Sequence, residues 1–236
     1  PTLVGQMIGN KSVNFGCVNA GADVYVSDQT VLEACAGAKI TVLQAMGAQN
    51  MSNRFYAVHP RRNDRFLRAS ALLKTIFGEV DFTEFNFTRH LLTALQSLSS
   101  ERFSVVRREL REAWIARTRT MIQKIDGTVV LLWLADRSPE DESIQWGIGS
   151  DPLFVDRSML AEMRPYVQEI VEVVPDATLK PEGTEGMVFS PLEEPAAKEL
   201  LGLSAHRDAA EALAGPLTRL LGEGRLKATV KNGPPG

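Results

Sequence analysis

The sequence predicts a single α/β domain, a parallel sheet covered by helices on both faces in a three-layer sandwich. Three observations carry that expectation. Short apolar runs alternate with helix-period segments along the chain. Two of those runs, 39–46 (KITVLQAM) and 127–136 (GTVVLLWLAD), are near-continuous, as in strands buried on both faces. The chain has 236 residues, 44% of them hydrophobic and 23% charged, which suits one large globular domain. That domain is expected to span residues 1–230, with 231–236 (KNGPPG) a disordered tail.

Residues 1–9 (PTLVGQMIG) read as the end of an amphipathic helix leading into a strand at 12–17 (SVNFGC) and a turn at 18–21. A short helix is expected at 29–36, with Gly37 at its C-cap. The strand 39–46 follows, and then a helical insertion over about 60–125. Within it, Asn63 is placed to cap a helix carrying Phe66, Ser70, Leu73 and Phe77 on one face and closed by Gly78. Residues 81–98 read as a second helix. A third, 100–125, carries Phe103, Val106, Leu110, Trp114, Met121 and Ile125 at helical spacing, a core stripe. After the strand 127–136 come an acidic loop to Asp151, a helix at 158–166 and a strand at 168–174. Ser190-Pro191-Leu192-Glu193 is a capping box for a helix stopping at Gly202, and Ser204 caps a last helix to about Gly222.

Composition excludes several classes. A net charge of −3 gives no electrostatic basis for nucleic-acid binding. No apolar stretch approaches the roughly 18–20 residues of a membrane span. Cys17 and Cys35 lack metal-ligand spacing and read as packing residues, so a metal or other cofactor is not expected and a reduced, cytoplasmic setting is the default. Oligomeric state has no signature.

Ligands bind outside the carboxyl ends of the strands in open parallel sheets. Three polar clusters are expected there: Asn19-Ala20-Gly21, Gly47-Ala48-Gln49-Asn50, and His206 in the first turn of the C-terminal helix. This layout resembles the SGNH (GDSL-like) hydrolases, which have a flavodoxin-like sheet. The resemblance implies that Gly21 lends a backbone N–H and Asn50 a side-chain amide to an oxyanion hole. Gly47 would make the turn that aims Asn50 inward, and His206 would be the general base. Preorganised donors of that kind typically contribute about 3 kcal/mol each to a transition state. The sequence departs from the family at three places. One extra residue separates Gly47 from Asn50, Leu203 stands where the orienting acid belongs, and no strand–Gly–Asp–Ser element precedes Asn19. Ser12 lies in the wrong strand to replace it. The expectation is therefore a chain lacking its N-terminal strand, inactive as given and poorly stable unless another segment fills the gap.

The stretch 46–66 (MGAQNMSNRFYAVHPRRNDRF), with DFTEFNFTRH and LLWLAD, is also similar to a narrower bacterial family of unknown function. Complete members of that family imply an upstream strand ending in a glycine-rich turn with Ser or Thr.

Function is expected to be ester hydrolysis or acyl transfer on an O-acyl substrate, a carbohydrate or another small anionic molecule. A second expectation is a non-catalytic module binding an anionic sugar or phosphorylated ligand. Asn53, Arg54, His59, Arg61 and Arg62 crowd just after the Asn50 turn, and arginine forks bind carboxylate or phosphate.

Overall fold

The computed structural model describes residues 1–140, 148, 149, 151–175, 184, 186–198 and 200–231. It is a mixed α/β fold. Strands β1 (Thr41–Gln44), β4 (Val129–Leu134) and β5 (Glu169–Val173) form a parallel sheet in the order β1-β4-β5. Strands β2 (Tyr56–His59) and β3 (Arg62–Ala69) form a separate antiparallel hairpin.

β4 organises the core. All six of its residues are buried, and their alternation divides them between two apolar clusters. Val129, Leu131 and Trp133 face helix α6 (Ser100–Ile125), whose Phe103, Val106, Leu110, Trp114, Met121 and Ile125 form the stripe read from sequence. Val130, Leu132 and Leu134 face helix α9 (Leu203–Lys231), packing with its Ala205, Ala209, Leu213 and Leu217 and with Val4 and Ile8 of α1 (Thr2–Ile8). Each such leucine contributes on the order of 2 kcal/mol on burial.

α3 (Gln29–Ala36) has the expected bounds, with Asp28 accepting a hydrogen bond from the Val31 N–H at its start. Elsewhere the structure corrects the expectation. Residues 12–17 form no strand, and every one of them is exposed, Cys17 included, so that cysteine is not a packing residue. Among the described residues nothing offers this segment a ladder of hydrogen bonds, and β1 pairs on one side only. Cys35 does pack against the core.

The insertion does not begin as a helix. Asn63, Phe66 and Ala69 lie within β3, and they are buried at a spacing of three because bulges interrupt the pairing with β2. That spacing imitates a helical face. Leu73 and Phe77, assigned to the same face, belong with α4 (Ala71–Ile76), which is capped by Ser70 rather than Asn63. The helix expected at 81–98 is a 3-10 turn at 82–84, an extended 85–87, and then α5 (Thr88–Leu98). Arg65 and Phe87 form an antiparallel bridge that uses the 85–87 backbone.

α7 spans Arg157–Met163 and is followed by a 3-10 turn at 164–166. After Ser190 come a 3-10 turn at 191–193 and the short α8 (Glu194–Ala197). α9 starts at Leu203, so Ser204 lies inside it, and it continues past Gly222 to Lys231. The expected disordered tail lies, from residue 232 onward, outside the described residues. No helix among the described residues is long and apolar enough to cross a membrane.

Candidate functional site

At the carboxyl end of the sheet, the chain leaving β1 is pinned on several sides. The Ala45 N–H donates to the Leu132 carbonyl at 2.8 Å, and the Ala48 N–H to the Leu153 carbonyl at 2.9 Å. Trp114 Nε1 donates to the Met46 carbonyl at 2.6 Å, and the Tyr56 hydroxyl to the Gln49 carbonyl at 2.6 Å. Burial pushes the Tyr56 phenol well above its ordinary range, so it stays a donor. In the turn after β4, buried Arg137 donates to the Pro152 and Val155 carbonyls at 2.6 and 3.0 Å. The loop holding Gln49 and Asn50 is thus rigidly placed.

Gly21 and Asn50, expected to act together, are in contact. A Cβ on Gly21 would lie 1.5 Å from the Asn50 carbonyl oxygen, so only glycine fits there. The Gly21 N–H is already used. It donates to Asn63 Oδ1 at 3.1 Å, as does the Val24 N–H at 3.2 Å, so Asn63 caps α2 (Ala22–Val26) from across the fold. Asn63 is fully buried and donates in turn to the His59 carbonyl at 2.9 Å. Asn50 donates through Nδ2 to the Asn19 carbonyl at 3.2 Å and accepts from the Thr88 hydroxyl at 2.9 Å. One N–H of the Asn50 amide is left uncommitted by these bonds.

Gly47 serves a different neighbour from the one expected. A Cβ there would lie 2.1 Å from Gln49 Oε1, so this glycine makes room for Gln49. Gln49 Nε2 donates to Asp151 Oδ1 at 2.8 Å. The same oxygen accepts the Leu153 N–H at 3.2 Å and lies 3.2 Å from the Arg89 guanidinium. Arg89 also donates to the Gly149 carbonyl at 2.7 Å.

His206 stands exposed in the first turn of α9. Arg219, farther along that helix, pairs with Glu169 at the start of β5. The intervening helix is about 20 Å long, which directs His206 toward the carboxyl end of the strands. No hydrogen bond joins it to Gly21 or Asn50 among the described residues.

The arginine cluster is dispersed. Arg54 is paired with buried Glu109, its Nε donating at 2.5 Å. His59 Nδ1 accepts the Arg61 and Arg62 N–H groups, each at 3.2 Å. Arg62 pairs with Asp64 at 3.3 Å, and exposed Arg61 reaches solvent on the hairpin turn. Asn53 orders its own turn, accepting the Phe55 and Tyr56 N–H groups. Asn53 and Arg54 also line a cleft of about 480 Å³ beside α6, with Glu109, Ala113 and Arg117 on its wall. Arg117 pairs with Asp23, whose other oxygen accepts the Ser52 N–H at 2.8 Å.

Asn63, Thr88, Arg89, Asp151 and Arg117 were not assigned to the site from sequence, and Gln49 was placed in the turn there without a role. The Gly47-x-Gln49 spacing was the one local signal, and it was attributed to Asn50. Among the described residues no three His, Cys, Asp or Glu side chains converge as a metal site would require.

No curated protein and no solved structure matches the chain. The profile of a family described as "Domain of unknown function (DUF6473)" matches residues 1–221, nearly the whole chain, and the protein belongs to that family.

Proposed function

We propose that this domain is an SGNH-like hydrolase module acting on acyl esters. The observation that supports it best is the packing of Gly21 on Asn50 at the carboxyl end of a parallel sheet, with His206 on the helix directed to the same end. In this reading a hydroxyl attacks the ester carbonyl and passes its proton to His206. The uncommitted Asn50 N–H holds the oxyanion. His206 returns the proton to the departing alcohol, and water then hydrolyses the acyl-enzyme by the reverse roles. Among the described residues β1 is an edge strand, and in this reading the attacking hydroxyl lies at its carboxyl end beside Asn50. Gly21 has a structural part, since Asn63 takes its N–H.

The test is fluorophosphonate labelling of the protein expressed from its complete reading frame. Labelling that disappears in His206→Ala at unchanged melting temperature is the expected result. A folded protein that takes no label, or one whose label survives His206→Ala, overturns the reading.

A second reading, binding of a small anion without catalysis, draws on the cleft beside Arg54 and Arg117. Both guanidiniums are already paired with carboxylates, so an anion there would meet only their remaining N–H groups, beside the negative charge of Glu109 and Asp23. Calorimetric titration with inorganic phosphate, weakened in Arg117→Gln, is its test.

A further inference from the structure

We infer that the β2–β3 hairpin docks this domain on an anionic lipid surface, as a peripheral contact that spans nothing. The inference stands on the hairpin alone and is independent of the hydrolase reading.

Charge is segregated onto this hairpin. Residues 56–69 carry four arginines, Arg61, Arg62, Arg65 and Arg68, against the single acid Asp64, a net charge of +3. The whole chain stands at −3, so everything outside the hairpin sums to −6. Asp64 is only 13% exposed and pairs with Arg62. Arg61, Arg65 and Arg68 are exposed, and no ion pair among the described residues holds them. Elsewhere arginines are committed: Arg54, Arg102, Arg111, Arg117, Arg157 and Arg219 each meet a carboxylate.

Large apolar side chains stand among these charges. Ala57 pairs with Arg68 and Val58 with Phe66, so Leu67 is the extra residue of a bulge, and it is 54% exposed. Phe87, joined to Arg65 by the antiparallel bridge, is 44% exposed, with the Arg65 guanidinium 5.6 Å from its ring centre. Leu72, in α4 directly after β3, is 48% exposed. The acids that follow in sequence are Glu79, held by Arg102, and exposed Asp81 and Glu84 before Phe87.

This combination selects the partner. An anionic bilayer attracts arginines through its surface potential and takes leucine and phenylalanine into the boundary between headgroups and acyl chains. Nucleic acid offers nothing to Leu67 and Leu72, and Arg65 already lies over the Phe87 ring, so an open stacking face is lacking. A folded acidic protein would have to immobilise Arg61 and Arg68, an entropy loss that a diffuse lipid charge does not demand.

The experiment is co-sedimentation with vesicles of phosphatidylcholine, alone or with an equal part of phosphatidylglycerol, in low and high salt. Binding is expected to the mixed vesicles only, and weaker in high salt. Each arginine near an anionic surface contributes about fivefold in partitioning, so Arg65→Gln combined with Arg68→Gln should weaken binding roughly tenfold or more. Leu67→Ser should weaken it severalfold at unchanged melting temperature, which attraction between charges alone would not produce. If the arginine variant loses its fold, Leu67→Ser and the salt series still decide. The inference fails if the folded protein ignores mixed vesicles, if phosphatidylcholine alone binds as well, or if Leu67→Ser binds like the parent. A single-stranded oligonucleotide or polyglutamate that binds more tightly than the mixed vesicles also overturns it, and transfers the surface to nucleic acid or to an acidic protein.

Discussion

Asn63 concentrates the residue-scale lesson. Its neighbours suggest a helix cap, and it is one, but for α2, some forty residues earlier in the chain. Removing its side chain strands the Gly21 and Val24 N–H groups, so Asn63→Ala should cost about 3 kcal/mol in urea unfolding. Asn63→Asp, which keeps the acceptor, should recover part of that. Gly21→Ala sets a methyl against the Asn50 carbonyl and should cost at least ~3 kcal/mol by the same measurement. These residues were legible as polar and turn-forming. Which backbone groups they satisfy was not, because their partners lie forty residues away. Asn50 and Gly21 were paired from their order along the chain, and they do touch. Gln49 was placed in its turn but given no role, because its partner, Asp151, is about a hundred residues downstream.

At the scale of elements, periodicity succeeded where an element buries one or both faces without interruption. α3, α6, β4 and β5 fall at or close to their expected bounds, since a stripe at i, i+3 and i+4 or an unbroken apolar run has a single solution there. It failed at β3, where bulges turn a period of two into an apparent period of three. Ser70 is the true cap of α4, accepting the Leu73 N–H at 3.2 Å. Ser70→Ala should therefore cost about 1 kcal/mol, well below the effect of Asn63→Ala, and paired denaturant curves would separate the two. Equal losses would contradict the role of Asn63 in holding the two α2 N–H groups. Residues 12–17 failed for another reason: alternation marks a segment able to be a strand, and only a neighbouring strand can make it one.

On the scale of the whole molecule, ion pairs tie distant elements together and set the response to acid. Arg102 on α6 binds Glu79 after α4 and holds its carboxyl down at about 2. Ser138 and then Arg157 lower Glu140, and Thr83 lowers Asp81. Carboxyls depressed in the folded state favour folding above their ordinary range near 4.5, and that contribution is lost as pH falls toward their folded values. The urea midpoint should thus decline between about pH 4.5 and 2. Glu79→Gln should flatten the lower part of that decline. Glu79 is surface-exposed, so added salt should shrink the difference between variant and parent.

The sequence by itself determined the α/β class, the doubly buried central strand and the long amphipathic helix against it. These follow from local periodicity, which records burial wherever an element is regular. Tertiary structure alone decided that Asn63 caps α2, that Gly47 shelters Gln49, and that Arg54 and Arg62 spend their charge on Glu109 and Asp64. Those outcomes depend on which groups meet across tens of residues. Hydrogen bonding and charge act through distance in space, and a sequence states only distance along the chain.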